Sequence, residues 1–414
     1  MNLIEKAERI MEHYICDNCL GRQFGQLLSG YDNSHRGRVI RSLVAMSIDK
    51  EGKESMNMDM MNFTGFRFHF LEIDIHKLKA AIAGRKCHVC ENIFDRLDRY
   101  AAKIENTLKK IEFKTFLIGT KLSHELNERE EQLWEHVGID YCEPIKAEIN
   151  RELGKTLEKR TRKKFSVKNP DVVILLDMAS DKVELQINPI FIYGMYQKLV
   201  RGIPQTKWPD KKYKTSVEEI IAKPFMAVTK ATGHKLHGFG REDIDARCLG
   251  WRPFVLELLE PKKRLEKESM LRLARKIGKQ VRVKGIRFSN IAEVRMIKEA
   301  KGDKTYKALV VCDNIIKKEE LKKISSLKGE IRQRTPQRVI HRRADMLRKR
   351  KVFSIKTKQK GKKSFILTVR TEGGLYIKEL ISGDNGRTQP SISSILQNSC
   401  KCKELDVMAV HYKG

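Results

Sequence analysis

The chain has 414 residues, enough for two or three domains of about 150 residues each. It carries 84 Lys and Arg residues against 53 Asp and Glu residues, a formal net charge of +31 at pH 7. Such an excess favours a polyanionic partner, because basic side chains release counterions from a phosphate backbone. A nucleic acid is favoured over an anionic membrane surface, since no long basic helix with a broad apolar face is present.

No segment approaches 18 consecutive apolar residues, so we predict no transmembrane helix and no membrane partner. The first residues, MNLIEKAERIMEHYICDNC, carry early charges and lack the apolar core of a signal peptide. We therefore expect a cytoplasmic location, where thiols stay reduced. The nine cysteines are then expected to be metal ligands or buried residues and not disulfides.

The first motif along the chain consists of two Cys-x-x-Cys pairs, Cys16 with Cys19 and Cys87 with Cys90. Each short turn presents two thiolates to one ion, which suits tetrahedral Zn²⁺. The pattern predicts one structural Zn²⁺ with four cysteine ligands in an N-terminal module over residues 1–105. Redox-active pairs are the alternative, and we expect His88 to be a bystander.

Residues 106–205 alternate between strand-like and helical patterns. FKTFLIGT, DVVILLDM and KVELQINPIFIYGMY are typical of strands, whereas KAEINRELGKTLEKRTRKKF is typical of a helix. This order predicts a small α/β domain. Its basic helix end, KRTRKK at 159–164, is either a solvated face or an RNA contact. RGIPQTKWPD, with two prolines, is typical of a linker and places the next boundary near residue 205.

Residues 206–414 are rich in predicted strands and hairpins. The strand-like segments are PFMAVTKATG, RPFVLELLEP, QVRVKGIRFS, KTYKALVVC and the hairpin VFSIKTKQKGKKSFILTVR. Short helical pieces separate them, which favours a mixed, largely antiparallel sheet with helices. We therefore assign the whole chain to the α+β class.

One segment, HGFGREDIDARCLGWRPF, concentrates acids in this basic chain. Its glycines indicate a sharp loop, and Asp243 is expected to stay ionised beside Arg241 and Arg247, since nearby cations favour a charged carboxylate. Such a carboxylate can act as a nucleophile or a base. A structural salt-bridge cluster is the alternative. The sequence has no GxxxxGK[ST] motif and no dinucleotide fingerprint, so we predict no organic cofactor.

Several strings resemble one enzyme family over nearly the whole chain. GRED at 240–243 resembles the GR-x-D element of pseudouridine synthases, and GREDIDARCLGWRPFVLEL is similar to the archaeal and eukaryotic family acting on the TΨC arm of tRNA, the tenth by its usual name. Five further strings agree: CDNCLGRQFG, KTYKA at 304–308, TPQRVIHRR at 335–343, LYIKEL at 375–380 and GDNGRTQPSISSIL at 383–396.

The resemblance implies that uridine in tRNA, at positions 54 and 55, is isomerised to pseudouridine with Asp243 as the essential catalytic carboxylate. It also implies that Tyr306 lies against the target base and that Lys378 pairs with Asp243, where many synthases carry arginine. The basic segment formed by His341, Arg342 and Arg343 and then by Arg348–Lys351 resembles a loop that grips RNA. The substrate-binding set is then Tyr306, Tyr376, Lys378, Arg241, Arg338, His341, Arg342 and Arg343.

The same resemblance makes 106–205 a THUMP-like RNA-binding domain and 206–414 the catalytic domain, with tRNA as the partner of a monomer. Two other functions remain open. One is a non-catalytic, zinc-containing RNA-binding or assembly factor with a synthase-like fold. The other is a metal-dependent RNA hydrolase that uses Glu242, Asp243 and Asp245 as ligands, although the flanking arginines compete for these carboxylates.

Overall fold

A computed structural model of the protein describes residues 2–52, 57–71, 84–208 and 212–412. The chain divides into two compact units, Met1–Asn188 and Pro189–Gly414. The helices of the first unit are α1 (Leu3–Ile10), α2 (Asp17–Arg22), α3 (Asn33–Glu51), α4 (Leu97–Leu108), α5 (His124–Val137) and α6 (Ile145–Thr161). Single turns of 3₁₀ helix lie at Met60–Phe63 and Ile93–Arg96.

Helices α2 and α3 pack so closely that two glycines are required where they meet. A Cβ on Gly21 would lie 1.9 Å from the carbonyl oxygen of Asn33, and a Cβ on Gly37 would lie 2.0 Å from that of Asp17. A side chain at either position would push the helices apart. This contact fixes the short helix that follows Cys16 and contains Cys19.

The first unit also contains a four-stranded sheet in the order β2-β1-β3-β4. Its strands are β1 (Thr115–Lys121), β2 (Lys164–Phe165), β3 (Val172–Asp177) and β4 (Lys182–Ile187). β1 runs parallel to β2 and β3, whereas β4 is antiparallel to β3. Helix α6 buries residues at four-residue spacing, as expected of one helix face, namely Ile145, Ile149, Leu153 and Leu157.

The second unit is built on a ten-stranded sheet. Its strands are β5 (Ile190–Lys198), β6 (Gly233–Gly238), β7 (Arg247–Leu259), β8 (Val281–Ser289), β9 (Asp303–Cys312), β10 (Gly329–Arg334), β11 (Leu347–Gly361), β12 (Ser364–Thr371), β13 (Thr388–Gln389) and β14 (Cys400–His411). The order is β13-β10-β11-β12-β9-β14-β7-β5-β8, with β6 also paired to β7. Only the β14–β7 pair is parallel within this described sheet.

Helices cover this sheet in separate apolar clusters. They are α7 (Val217–Thr229), α8 (Lys267–Ala274), α9 (Ile291–Glu299), α10 (Lys318–Lys323), α11 (Ile377–Ser382) and α12 (Ile392–Leu396), with 3₁₀ turns at Ile324–Leu327 and Gln337–Arg342. One cluster joins α11 and α12 to β9 and β12, and another joins α7 and α8 to β5 and β7. The α+β class with a mixed, largely antiparallel sheet is thus confirmed.

Two segments differ from the sequence-based assignment. PFMAVTKATG was predicted as a strand, and this is wrong for most of its length, because α7 runs to Thr229 with Pro224 inside it. Helix α7 buries Val217, Ile221 and Phe225, and this four-residue spacing stabilises a helix more than Pro224 opposes it. In addition, β5 lies before the predicted boundary at residue 205 but pairs with β7 and β8 of the second unit.

Across the described ranges, no helix combines the length and the apolar character needed to cross a bilayer.

Candidate active site and metal centre

Asp243 lies in the loop that joins β6 to β7. Gly240 adopts a left-handed φ of +71°, and a Cβ there would come within 2.7 Å of Lys304 Nζ, so this position requires glycine. The backbone amide of Ala246 then donates to the carbonyl oxygen of Asp243 at 3.0 Å, which closes a tight turn. The glycine and the turn direct Asp243 into a cavity of about 1030 Å³ in the second unit.

The cavity combines cationic and aromatic side chains around the half-buried Asp243, and Asp245, Asp303 and Glu372 also belong to its lining. The Asp243 side chain is 34% exposed. Among the other lining residues are Arg241, Lys304, Tyr306, Arg338, Arg343, Tyr376 and Lys378. The structure therefore brings together most of the site residues proposed from the sequence. Positive charge with aromatic surface suits a flipped nucleotide.

Two cations contact the Asp243 carboxylate. Lys378 Nζ lies 3.3 Å from Oδ2, and Arg338 Nη2 also lies 3.3 Å from Oδ2. Arg338 Nη1 lies 3.5 Å from Oδ1. Opposite charges at these distances attract and orient the carboxylate. The expectation that Arg247 lies beside Asp243 is wrong, because Arg247 forms a two-point ion pair with Asp406 at 2.9 and 2.7 Å.

Lys378 is shared between two acids of the loop. Its Nζ donates to Oδ1 and Oδ2 of Asp245 at 2.8 and 2.7 Å, in addition to its contact with Asp243. Burial lowers the pKa of Lys378, but the hydrogen bond to Asp245 and both negative charges outweigh burial and raise the pKa above its ordinary value. Lys378 therefore stays charged across the neutral pH range. It holds the turn through its contacts with the carboxylates of Asp243 and Asp245.

Arg338 links Asp243 to a third acid. Its Nε donates to Glu379 Oε1 at 2.6 Å, and its guanidinium lies 5.9 Å from the centre of the Tyr376 ring. Burial opposes the charge of Arg338, but the hydrogen bond to Glu379 and the charge of Asp243 raise its pKa. Arg338 belongs to the 3₁₀ turn Gln337–Arg342, so a segment expected to bind RNA touches the candidate catalytic acid directly.

Glu242 borders the cavity, but its side chain is not open to solvent. Its side chain is fully buried and accepts a hydrogen bond from the Tyr196 hydroxyl at 3.0 Å, while Arg252 Nε lies 3.2 Å away. Within the described part of the chain, the only group of three or more potential metal ligands is formed by cysteines. Glu242, Asp243 and Asp245 therefore do not form the acidic metal site that a hydrolase would need.

Tyr306 and Lys304 reach the cavity from β9. Burial raises the pKa of Tyr306 to about 12, so its hydroxyl stays protonated at neutral pH. Burial, followed by the charge of Arg252, lowers the pKa of Lys304 to about 8. Lys304 Nζ lies 5.9 Å from the centre of the Phe239 ring, and no ion pair of Lys304 is found among the described residues.

The remaining predicted residues line or flank the cavity. Arg343 donates to the Tyr376 hydroxyl and lies 5.8 Å from its ring. The guanidinium of Arg241 lies 5.9 Å from the Trp208 ring. His341 is exposed in the 3₁₀ turn, and the side chain of Arg342 lies outside the described residues.

Four buried residues around the loop were not predicted from the sequence, namely Tyr196, Lys198, Arg252 and Glu379. One signal was available for Lys198. It follows Ile192, Gly194 and Tyr196 at two-residue spacing, on the buried face of a strand where a lysine needs polar partners. Nothing in the local pattern marks Glu379, which is one of several acids on short helices.

The four predicted cysteine ligands converge in the first unit. Their sulfur atoms all lie within 4.8 Å of one another, and the Cys16 and Cys90 sulfurs are 3.5 Å apart. A tetrahedral Zn²⁺ with bonds of about 2.3 Å needs sulfur–sulfur distances of about 3.8 Å. The donor set and its size therefore fit such an ion. Backbone amides of Cys16 and Cys19 donate to the sulfurs of Cys87 and Cys16.

A buried arginine balances charge at this cluster. Arg22 is fully buried, donates to the Cys19 sulfur at 2.6 Å through Nη1, and lies 3.2 Å from Glu130 through Nε. Four thiolates around a divalent ion carry a formal charge of −2, so a cation at this place is stabilising. Another buried cysteine of this unit, Cys142, contacts Gln23 and takes no part in the cluster.

Comparison with known proteins shows which family this chain belongs to. The family model described as "Pus10, C-terminal" matches residues 191–411, and the one described as "Pus10 THUMP domain, archaeal" matches residues 100–177. A relative from Pyrococcus furiosus is 40% identical over 99% of this chain and 98% of its own length. The chain belongs to the Pus10 family. Membership confirms the resemblance drawn from the sequence and makes the chain a pseudouridine synthase, which is an isomerase.

Other Pus10 relatives agree. The protein from Methanothrix thermoacetophila is 39% identical over 99% of this chain and 94% of its own length. Both relatives are named "tRNA pseudouridine synthase Pus10". Among solved structures, this chain is similar to one titled "Crystal Structure of a Cbf5-Nop10-Gar1 Complex", with a TM-score of 0.32 and 18% identity over 51% of this chain and 47% of that one.

Proposed function

We propose that this chain isomerises uridine to pseudouridine in the TΨC arm of tRNA, at positions 54 and 55, with Asp243 as the essential catalytic residue. The observation that carries the proposal is the Asp243 carboxylate, which projects into a cationic and aromatic cavity and is held by Lys378 and Arg338. Membership of the Pus10 family and the names of its relatives support the substrate class.

The reaction breaks the bond between N1 of the base and C1′ of the ribose, rotates the base, and joins C5 to C1′. C5 loses a proton and N1 gains one, so no cofactor or co-reactant is consumed. Asp243 acts as a nucleophile at the ribose or the base. Lys378 and Arg338 orient the carboxylate through their contacts with it.

The target base must leave its stack to reach Asp243. Tyr306 and Tyr376 supply aromatic surface for the extruded base, while Arg343 fixes Tyr376 by a hydrogen bond to its hydroxyl. Arg241, His341 and Arg342 belong to segments that contact the RNA backbone in this proposal. Strand β11 adds exposed basic side chains beside them.

The rest of the chain grips the tRNA in this proposal. The proposed divisions are an N-terminal module over 1–105, a THUMP-like domain over 106–205 and a catalytic domain over 206–414, with the exception of β5, which pairs with β7 and β8 of the second unit and is assigned to the catalytic domain. Cys16, Cys19, Cys87 and Cys90 hold one Zn²⁺ with a structural role, since all four positions are filled by protein sulfurs and none is left for a substrate. We also propose that the chain acts as a cytoplasmic monomer.

Mapping of pseudouridine along an unmodified tRNA transcript tests the function. Wild-type protein should convert U54 and U55, and Asp243→Ala should convert neither. Asp313→Ala, an exposed acid at the end of β9, is the matched control and should behave as wild type. Conversion by Asp243→Ala at the wild-type rate would overturn the role of Asp243. An inactive wild type that still binds tRNA would favour the non-catalytic RNA-binding factor.

A further inference from the structure

We propose that Glu242 is a positioning residue that fixes the Asp243 loop through two buried cations. The inference rests on the proposed function of Asp243 and deepens it. Glu242 follows Arg241 in the GRED string, yet its side chain is fully buried, in contrast to the 34% exposure of the Asp243 side chain. Adjacent acids therefore occupy opposite environments, one in the cavity and one inside the protein.

The partners of Glu242 come from separate segments of the second unit. From β5, the Tyr196 hydroxyl donates at 3.0 and 3.2 Å and Lys198 Nζ lies 3.9 Å away. From β7, Arg252 Nε lies 3.2 Å away. Tyr196, Lys198 and Arg252 are themselves fully buried. One carboxylate thus sits among two cations and one hydroxyl, and none of these side chains has access to water.

The two cations also contact the backbone on both sides of Asp243. Lys198 Nζ donates to the carbonyl oxygens of Asp243 and Ile244 at 3.1 and 3.2 Å. Arg252 Nη1 donates to the carbonyl oxygen of Phe239 at 2.7 Å. The loop is therefore held before and after the catalytic acid by donors whose charge Glu242 balances.

A neutral residue completes the set of contacts. Gln205 donates through Nε2 to the carbonyl oxygen of Gly240 at 2.9 Å and to the Tyr196 hydroxyl at 2.7 Å. The carbonyl oxygens of residues 239, 240, 243 and 244 thus accept hydrogen bonds from side chains linked to Glu242. The left-handed Gly240 lies within this stretch, where the backbone depends on its surroundings to keep that conformation.

Burial makes Glu242 indispensable to this arrangement. A charged side chain away from water is stable only when it is paired and hydrogen-bonded. Burial lowers the pKa of Lys198, and the charge of Glu242 opposes that shift. Without the carboxylate, Lys198 would lose a proton or move toward water, and its hydrogen bonds to the Asp243 and Ile244 carbonyls would weaken.

The consequence for catalysis follows from geometry. Misplacement of a reacting group by about 1 Å can lower a rate by about 100-fold. The Glu242 side chain is fully buried, so its loss should act on the position of Asp243 and not on tRNA binding. The expected signature is a lower kcat with an unchanged KM.

Replacement of Glu242 by Gln keeps its shape and removes its charge. For full-length Glu242→Gln acting on a tRNA transcript, we expect kcat to fall about 100-fold while KM and the Kd for tRNA stay within about twofold of wild type. Leu273→Ala is the matched control, because it creates a cavity in α8 of the same unit without touching the loop. Its kcat at a temperature where it is folded should equal that of wild type.

Two further variants separate positioning from general stability. Gln205→Met removes a neutral donor to the loop, leaves the buried charges intact, and should lower kcat about tenfold with KM unchanged. Glu242→Asp restores the charge and should recover part of the activity lost in Glu242→Gln.

Wild-type kcat in both Glu242→Gln and Gln205→Met would overturn the inference, and so would a matching loss of kcat in Leu273→Ala. If Glu242→Gln does not fold, the kcat of Gln205→Met decides whether the inference stands. An inactive wild-type protein would instead contradict the proposed function, so the two failures are distinguishable.

Discussion

The cysteine cluster of the first unit and the Asp243 cavity of the second unit are two polar sites built in opposite ways. The cluster consists of four identical donors, with three of its cysteines fully buried and all four sulfurs within 4.8 Å of one another. In the cavity, which has a volume of about 1030 Å³, Asp243 is partly open to solvent and is held by Lys378 and Arg338.

The difference between the two sites separates a structural role from a reactive one. A site that fills every coordination position with protein atoms stabilises a fold, whereas catalysis needs a position left for the substrate. The loop backbone and two cations hold Asp243 in place, and part of its carboxylate faces the cavity. The same logic distinguishes Glu242, which is enclosed, from Asp243.

Removal of the metal should have the largest effect on stability. Cys90→Ser should lose the Zn²⁺ that we propose and unfold the first unit at much lower temperature, because binding of structural zinc contributes about 10 kcal/mol or more to folding. Metal content by mass spectrometry and thermal unfolding by circular dichroism measure this. Cys142→Ser, another buried cysteine of the same unit, should keep one Zn²⁺ per chain. Equal metal content in both variants would refute the four-cysteine site.

Loss of Lys378 should have a smaller but still large effect, on rate. Lys378→Met removes a cation that contacts both Asp243 and Asp245, so kcat should fall about 100-fold, a size typical of lost electrostatic stabilisation in an active site. Lys378→Arg keeps the charge and should retain most activity. Lys267→Met, an exposed lysine of α8, serves as the control. Unchanged kcat in Lys378→Met would contradict this role of Lys378 and would show that Arg338 alone is enough to hold Asp243.

Lys304 should have a smaller effect on stability, and the pH dependence that it causes should fall in the alkaline range. Its pKa is about 8 in the folded protein and about 10.5 in the unfolded chain. The unfolded state therefore binds more protons between these pH values, and the free energy of unfolding should rise with pH by about 1–3 kcal/mol. Denaturant unfolding of the wild type and Lys304→Met between pH 7.5 and 10 isolates this contribution. Parallel curves would contradict the buried, unpaired state of Lys304.

Much of the fold and part of the site could be predicted from the sequence. The two Cys-x-x-Cys pairs predicted that the four cysteines lie together, because each short turn presents two thiolates to one metal ion. The alternation of apolar residues identified β1, β3 and β9, since one face of each strand is buried. The GRED string marked Asp243 through its resemblance to a family.

The pairing of charges could not be predicted, because it depends on contacts between distant segments. Arg338 meets Asp243 across 95 positions of sequence, and Arg247 meets Asp406 across 159. Local sequence placed Arg247 beside Asp243, but the parallel pairing of β14 with β7 sets Arg247 opposite Asp406. The burial of Glu242 likewise follows from where β5 and β7 place Lys198 and Arg252.

The central claim is that Asp243 carries out the chemistry and does not serve to bind tRNA. The direct measurement is the single-turnover rate of pseudouridine formation together with the Kd for tRNA, for wild type and Asp243→Asn. The account predicts that the rate falls by at least about 1,000-fold while the Kd changes less than threefold. A rate within tenfold of wild type, or a loss explained entirely by weaker tRNA binding, would contradict it.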